Sequence, residues 1–346
     1  MNNVKVSVLM LTFNHENFIA KAIESVVCQK FEYPFELIIH DDASTDNTQA
    51  IIREYAEKYP NIIRPIYQKE NQFSAGRGII HRFLGPMTKG EYICYLEGDD
   101  FWIDENKLQE QYDFITRHPE YSAVASRKKS MNESEEIIPY LHFKKDYVYN
   151  DKTIFHLPDI IHISTLMHKN IYKDEQLSLK YNQMKKCKMV GDWMLLIFLV
   201  DLGDIYVFKK NYSAYRKVCR QGASNYYSIR AFQLNKFDVL AKRHIANCKM
   251  QEFEGYNRVK YKYSRVHYAG YFLFEYIRSS KEEKAYAKKV YTESYIPTLT
   301  IWQRAIALIS LWYPLYEMCK SKLYSYFAYY QTRKELGRII KVLGND

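Results

Sequence analysis

Three carboxylates crowd one end of Tyr92-Ile93-Cys94-Tyr95-Leu96-Glu97-Gly98-Asp99-Asp100-Phe101-Trp102. The apolar half of this stretch has the length of a strand, and the acids follow where it stops. An apolar run bounded by turn residues reads as a buried strand of a parallel sheet. Such sheets bind ligands beyond the carboxyl ends of their strands. Clustered acids repel one another unless a proton or a cation sits among them. A hard divalent ion, held by oxygen and shared with a substrate diphosphate, resolves that repulsion. An acidic turn capping the helix that begins near Asp104 is the plainer reading, favoured by these residues alone and reversed by the rest of the chain.

The elements that must position these acids follow from hydrophobic periodicity. Val4 to Leu11 is β-branched and apolar and is closed by Thr12-Phe13-Asn14. Phe18, Ile19, Ala22, Ile23, Val26 and Val27 recur at helical spacing, predicting a helix over residues 16–29. Phe35 to His40 is a second strand, running into Asp41-Asp42-Ala43-Ser44-Thr45-Asp46, where Asp46 can cap the helix containing Ile51, Ile52 and Tyr55. A third strand, Ile62 to Tyr67, contains Pro65, which places it at an edge or a strand end. A loop through Asn71 and Arg77 and a helix to about Leu84 lead to the acidic stretch. Strand–helix alternation of this kind is the signature of a parallel α/β sheet.

Beyond the acids the pattern predicts a helix to Arg117, a strand from Tyr121 to Ser126, and an irregular insertion or lid over residues 127–150. Ile163 to Met167 reads as a strand. Met189-Val190-Gly191-Asp192-Trp193 opens a strongly apolar helix, and residues 204–208 and 212–216 read as two short strands.

The 346 residues suggest two domains, and 47% hydrophobic with 26% charged residues is a globular composition. Residues 227–346 hold 21 of the 50 Lys and Arg but 10 of the 40 Asp and Glu. A nearly neutral front part therefore meets a basic, aromatic and mostly helical back part near residue 226. The six cysteines show neither disulfide nor zinc spacing and read as reduced, with Cys28 and Cys94 buried. His40, His156, His162 and His168 lack metal spacing and read as core or loop residues. The polar start predicts no signal peptide, which points to a cytoplasmic protein. No nucleic-acid recognition motif is present.

Taken in order, Val6 to Asn14, Asp41 to Asp46, Lys89 to Asp100, Gly191-Asp192-Trp193 and Tyr215-Arg216 resemble the family 2 glycosyltransferases over residues 4–217. Glu97 to Trp102 followed by Lys107-Leu108-Gln109 is most similar to the bacterial branch that builds capsular and other surface polysaccharides. The resemblance implies a GT-A fold, a Rossmann-like α/β domain. It also implies a nucleotide-diphosphate sugar donor, a UDP-sugar foremost, a divalent metal (Mg2+ or Mn2+) and inversion at the anomeric carbon.

Residue by residue, it assigns Leu11, Thr12, Phe13, Asn14 and Asp42 to the nucleotide. Asn71 and Arg77 fall to the diphosphate side, although Ala75-Gly76-Arg77 departs from the family's Ala-Arg-Asn. Glu97 and Gly98 fall to the donor, with Glu97 standing for the usual first Asp of Asp-x-Asp. Asp99, with Asp100 beside it, falls to the metal. Asp192 becomes the catalytic base, in a Gly191-Asp192 pair where relatives carry Glu-Asp; local sequence alone favours a plain helix cap. A helix N-terminus holds such a carboxyl ionised. Trp102 and Trp193 are candidates for stacking on sugars, and for the core.

The acceptor implied is a glycan or a lipid-linked saccharide. Segment 300–330, apolar and basic but too short to span a bilayer, then suits peripheral contact with the inner face of the cell membrane, a homo-oligomer contact, or a buried helix. A sugar-nucleotide-binding protein of the same fold with weakened catalysis is the competing class.

Overall fold

A computed structural model describes residues 3–75, 78–138, 145–154, 161–189, 191–218, 235–261 and 279–300, with Ala269, Phe272, Glu275 and Tyr276 between the last two spans. Arg77, His156, Val190 and segment 301–346, and with them most of the proposed membrane-facing stretch, lie outside the described residues. Two compact units divide the chain: residues 1–183, 190–228 and 257–259 in the first, residues 184–189, 229–256 and 260–346 in the second.

The first unit is built on one sheet. Strands β1 (Val6–Thr12), β2 (Phe35–Asp41), β3 (Ile63–Tyr67) and β4 (Tyr92–Glu97) lie in the order β3-β2-β1-β4, all parallel. β3 is the edge, where the missing N–H of Pro65 leaves no gap inside the sheet. Helix α1 (Ile19–Val27) presses Ile19, Ala22, Ile23 and Val26, all fully buried, onto the sheet. Helix α2 (Thr48–Lys58) contributes Ile52 to the same core. Both crossovers bring the chain back to the same end of the sheet, so the loops after β1, β2 and β4 gather there.

The far half differs from the all-parallel expectation. Strand β9 (Met167–Lys169) runs antiparallel to β4 on one side and to β6 (Tyr121–Met131) on the other. Residues 163–167 are not a strand: Ile163–Thr165 form a 3-10 turn whose polar atoms face inward, and pairing begins only at Met167. β6 runs five residues past Ser126, because Arg127 to Met131 pair with β10 (Asp204–Arg216). The expected lid is therefore in part sheet, with β7 (Ile137–Ile138) on β6 and β8 (Tyr147–Tyr149) on β10. β10 is one strand, not two; register shifts around Asn211 absorb the polar Lys209-Lys210-Asn211 within a continuous ladder. The pair β5 (Phe101–Trp102) closes against its end.

Helices α3 (Gln72–Ala75), α4 (Lys107–Arg117), α5 (Glu175–Lys185) and α6 (Gly191–Leu202) complete the unit's surroundings. α6 buries Met194 through Asp201. Cys94 is buried as expected, but Cys28, at the end of α1, is exposed.

The second unit contains the helix Lys236–Gln251, capped by the Asn235 side chain, and the helix Lys281–Ser294, which opens on a Ser280–Glu283 capping box. Phe237, Leu240, Phe272, Ala287, Val290, Tyr291 and Tyr295 form its core. Among the described residues no helix is long and apolar enough to cross a membrane.

Candidate active site

The site stands at the carboxyl ends of β1, β2 and β4. Register places Leu11 beside both His40 and Glu97, and Thr12 beside Asp41. Beyond the ladder, the Asp42 N–H donates to Thr12 O (3.0 Å) and the Gly98 N–H to Leu11 O (2.8 Å), so the three loops leave the sheet side by side. Asn14 turns the chain in the left-handed region (φ 54°), and its Oδ1 accepts from Thr45 N (2.8 Å). Phe13 beside it is half-buried.

Asp42, expected to face the nucleotide, is buried, and both its oxygens are occupied. Oδ1 accepts from Gln72 N (2.7 Å) and Oδ2 from Phe73 N (2.9 Å), so the carboxylate fastens the start of α3. Asn71 lies against it, its Nδ2 3.4 Å from Asp42 O. Asp41 accepts from Ser44 and from Gln49 Nε2 (2.6 Å). In the same loop Asp46 accepts from Thr48 N (2.9 Å) in the first turn of α2.

The acids after β4 share a crevice. Asp100 is fully buried; its Oδ1 accepts from Arg216 N (2.8 Å), while Oδ2 has no hydrogen-bond partner. His162 closes the gap, with Nδ1 3.8 Å from Asp100 Oδ2 and Nε2 4.0 Å from Glu97 Oε2. Glu97, Asp100 and His162 each offer one ligand atom within 4.8 Å of the others. Asp99 points elsewhere: its Oδ2 lies 4.0 Å from His15 Nε2. Gly98 must be glycine here, since a Cβ would come within 2.8 Å of Thr12 Oγ1 and 2.9 Å of His15 Nδ1.

Arg216 locks the loop from below. Its guanidinium donates to Asp99 O and to Glu135 Oε1 (2.9 Å) and lies over the rings of Phe18 and Phe101.

Burial and mutual repulsion set the electrostatics of these acids. Desolvation first, then Asp99 and Asp192, push the Glu97 carboxyl well above the usual carboxylate range. Desolvation, Asp99 and Glu97 do the same to Asp100 against the pull of Arg216. Burial drives His162 well below the ordinary histidine value, and Lys128 adds to it, so the ring is neutral. A neutral imidazole beside two crowded carboxyls, one with an orphaned buried oxygen, fits a divalent ion with oxygen and nitrogen ligands. Glu97 and Asp100, with His162, are the residues that would hold Mg2+ or Mn2+.

Asp192 occupies the first turn of α6, open to solvent and within electrostatic reach of Glu97. Its carboxyl is shifted upward, by desolvation against the pull of Lys128. Trp102 is core, its Nε1–H donating to Ser164 O (3.0 Å); Trp193 is half-buried.

His162 is the residue that spacing along the chain did not reveal. It is set across from the acids by β9 pairing with β4, and the only local signal is its place before the polar Ser164-Thr165 turn.

The mixed sheet has a GT-A-like fold, and residues 7–175 match the family model of glycosyl transferase family 2. An uncharacterized protein of Mycobacterium tuberculosis is 28% identical over 221 residues, covering 61% of this chain and 58% of that one. The putative glycosyltransferase EpsE of Bacillus subtilis is 37% identical over 122 residues, 35% of this chain and 42% of that one. The chain thus spans about half the length of these relatives. Among solved structures, Staphylococcus aureus TarS 1-349 in complex with UDP superposes with a TM-score of 0.59 at 18% identity, over 95% of this chain and 92% of that one.

Proposed function

We propose that this chain transfers a sugar from a nucleotide-diphosphate donor, a UDP-sugar foremost, to a hydroxyl of a glycan or lipid-linked acceptor, with inversion and with the help of a divalent cation. The observation that carries this reading is the crevice of Glu97, Asp100 and His162 beyond the ends of β1 and β4, with Asp99 and Asp192 within electrostatic reach of Glu97. A solved fold neighbour supports the donor: Staphylococcus aureus TarS in complex with UDP-GlcNAc superposes at a TM-score of 0.58 and 20% identity.

Asp192 takes the proton of the acceptor hydroxyl; the oxygen bonds to the anomeric carbon, and the bond from that carbon to the diphosphate breaks on the opposite face. A bound Mg2+ or Mn2+ supplies positive charge to the departing diphosphate. Thr12, Phe13, Asn14 and the Asp42-anchored loop hold the nucleotide, with Asn71 and Arg77 on its diphosphate side, and Asp99 completes the acidic wall. Residues 1–226 form the catalytic domain. Residues 227–346 serve contact with the inner face of the membrane or between copies of the chain.

General-base assistance is worth about 10²–10⁴-fold. Asp192→Asn should lose that much turnover with UDP-sugar affinity retained, measured by product formation and by calorimetric titration. Full turnover in this variant removes Asp192 from the mechanism. A thermal-shift panel of UDP-, GDP-, CMP- and dTDP-sugars with Mn2+ identifies the donor.

A further inference from the structure

Lys107 is wholly buried and has no carboxylate partner among the described residues, an expensive arrangement that calls for a reason. Its Nζ donates to Gln111 Oε1 (2.8 Å), lies 3.8 Å from Cys94 Sγ and sits 4.2 Å from the centre of the Trp102 ring. An ammonium is a donor only. It therefore fixes which way the buried Gln111 amide faces: Oε1 toward Lys107, Nε2 away from it. Nε2 then donates to Thr165 O (2.8 Å). The reversed amide would set N–H against the ammonium and oxygen against the Thr165 carbonyl.

The neighbouring carbonyl is gripped in the same way. Ser164 O accepts from Trp102 Nε1 (3.0 Å) and from Ser213 Oγ (2.8 Å). Two successive carbonyls of the Ile163–Thr165 turn are thus held from the core side by α4, β5 and β10. On the other side of that turn the Ser164 hydroxyl lies 2.8 Å from His162 Nδ1, and the ring rests on Tyr215 at 4.2 Å. Nδ1 also accepts from Ser164 N (3.4 Å), so the turn itself holds the ring beside Glu97 and Asp100.

We propose that Lys107 and Gln111 are positioning residues for the cation site: the donor-only lysine orients the Gln111 amide, the amide pins the Thr165 carbonyl, and the pinned turn presents His162 to Glu97 and Asp100. The inference rests on the cation-site reading above. It assigns a purpose to a buried charge that the transfer chemistry itself does not use.

Partners that orient a metal-binding histidine typically contribute 10- to 100-fold to metal affinity. The test is Mn2+ binding to the full chain without donor or acceptor, read as free Mn2+ by electron paramagnetic resonance. Gln111→Met keeps the buried shape and removes the donor; it should weaken Mn2+ binding about 10-fold. His162→Ala should weaken it at least as much, and the double variant no further than His162→Ala alone, because Gln111 acts through His162. Gln111→Glu, which gives Lys107 a buried counter-charge and so retains the fold, should also lose affinity, since its oxygen opposes Thr165 O. Wild-type affinity in a folded Gln111→Met or Gln111→Glu, with loss in His162→Ala, overturns the brace and leaves the cation site standing. Additive losses in the double variant overturn it as well. Wild-type affinity in His162→Ala overturns the cation site and the brace together.

Discussion

Gly98 shows how closely the residues of this site are fitted. A side chain there meets Thr12 Cβ at 2.8 Å and His15 Nδ1 at 2.9 Å, on the loop that carries all three acids. Gly98→Ala should cost about 1–3 kcal/mol, the usual range for overpacking, and should weaken UDP binding by displacing Glu97 and Asp99. Urea unfolding and UDP titration check the two effects; an unchanged affinity would detach the loop geometry from the donor. At this scale the acids were legible because three carboxylates after an apolar run are rare and local. His162 was not, since what matters about it is which strand crosses beside β4. Asp42 was legible as a loop acid but not as an anchor, because its partners, Gln72 N and Phe73 N, open a helix some 30 residues further along the chain.

Among the elements, the parallel strands β1 to β4 follow from period and punctuation, whereas the antiparallel insertion of β9 does not. Its three residues, Met167–Lys169, are too few for a periodic signal, and their direction is set by what they pair with. The same holds for Arg127 to Met131, whose polar sequence conceals a ladder with β10.

β9 also carries a pH-sensitive contact. His168 is fully buried, its Nδ1–H donating to Lys169 O (2.6 Å) while Nε2 accepts from Tyr95 OH (2.8 Å), and burial lowers its pKa to about 4. The unfolded chain takes up that proton near 6.5, so between 6.5 and 4 the unfolded state holds more protons and stability falls as pH falls. The loss is on the order of 3 kcal/mol, complete below pH 4, where both states are protonated. Unfolding free energies measured from pH 7 to 4 should show this limb in the parent protein and a shallower one in His168→Asn. Equal slopes would mean that the ring is protonated in the fold.

Across the whole molecule, the charge asymmetry near residue 226 marks a change of composition, but the first compact unit also takes in residues 257–259. The reason is Asp201. Desolvation alone would raise this buried carboxyl, yet the N–H groups of Asn257, Val259 and Arg258, together with Lys180, hold it below the usual value. A net charge count along the chain cannot see a single carboxylate that collects three backbone donors from a distant segment. Asp201→Ala in the full chain strips those donors of their partner and should destabilise it by about 3–5 kcal/mol, read as a lower urea midpoint; a change below 1 kcal/mol would make the clasp incidental.

The proposed transfer depends on one coupling, between a divalent cation in the Glu97–Asp100–His162 crevice and a diphosphate beside it. Calorimetric titration of UDP into the protein, with Mn2+ and then with excess EDTA, measures it directly. Tighter UDP binding by at least 10-fold with Mn2+, abolished in Asp100→Asn, is the predicted result. Equal affinity with and without the cation would contradict it.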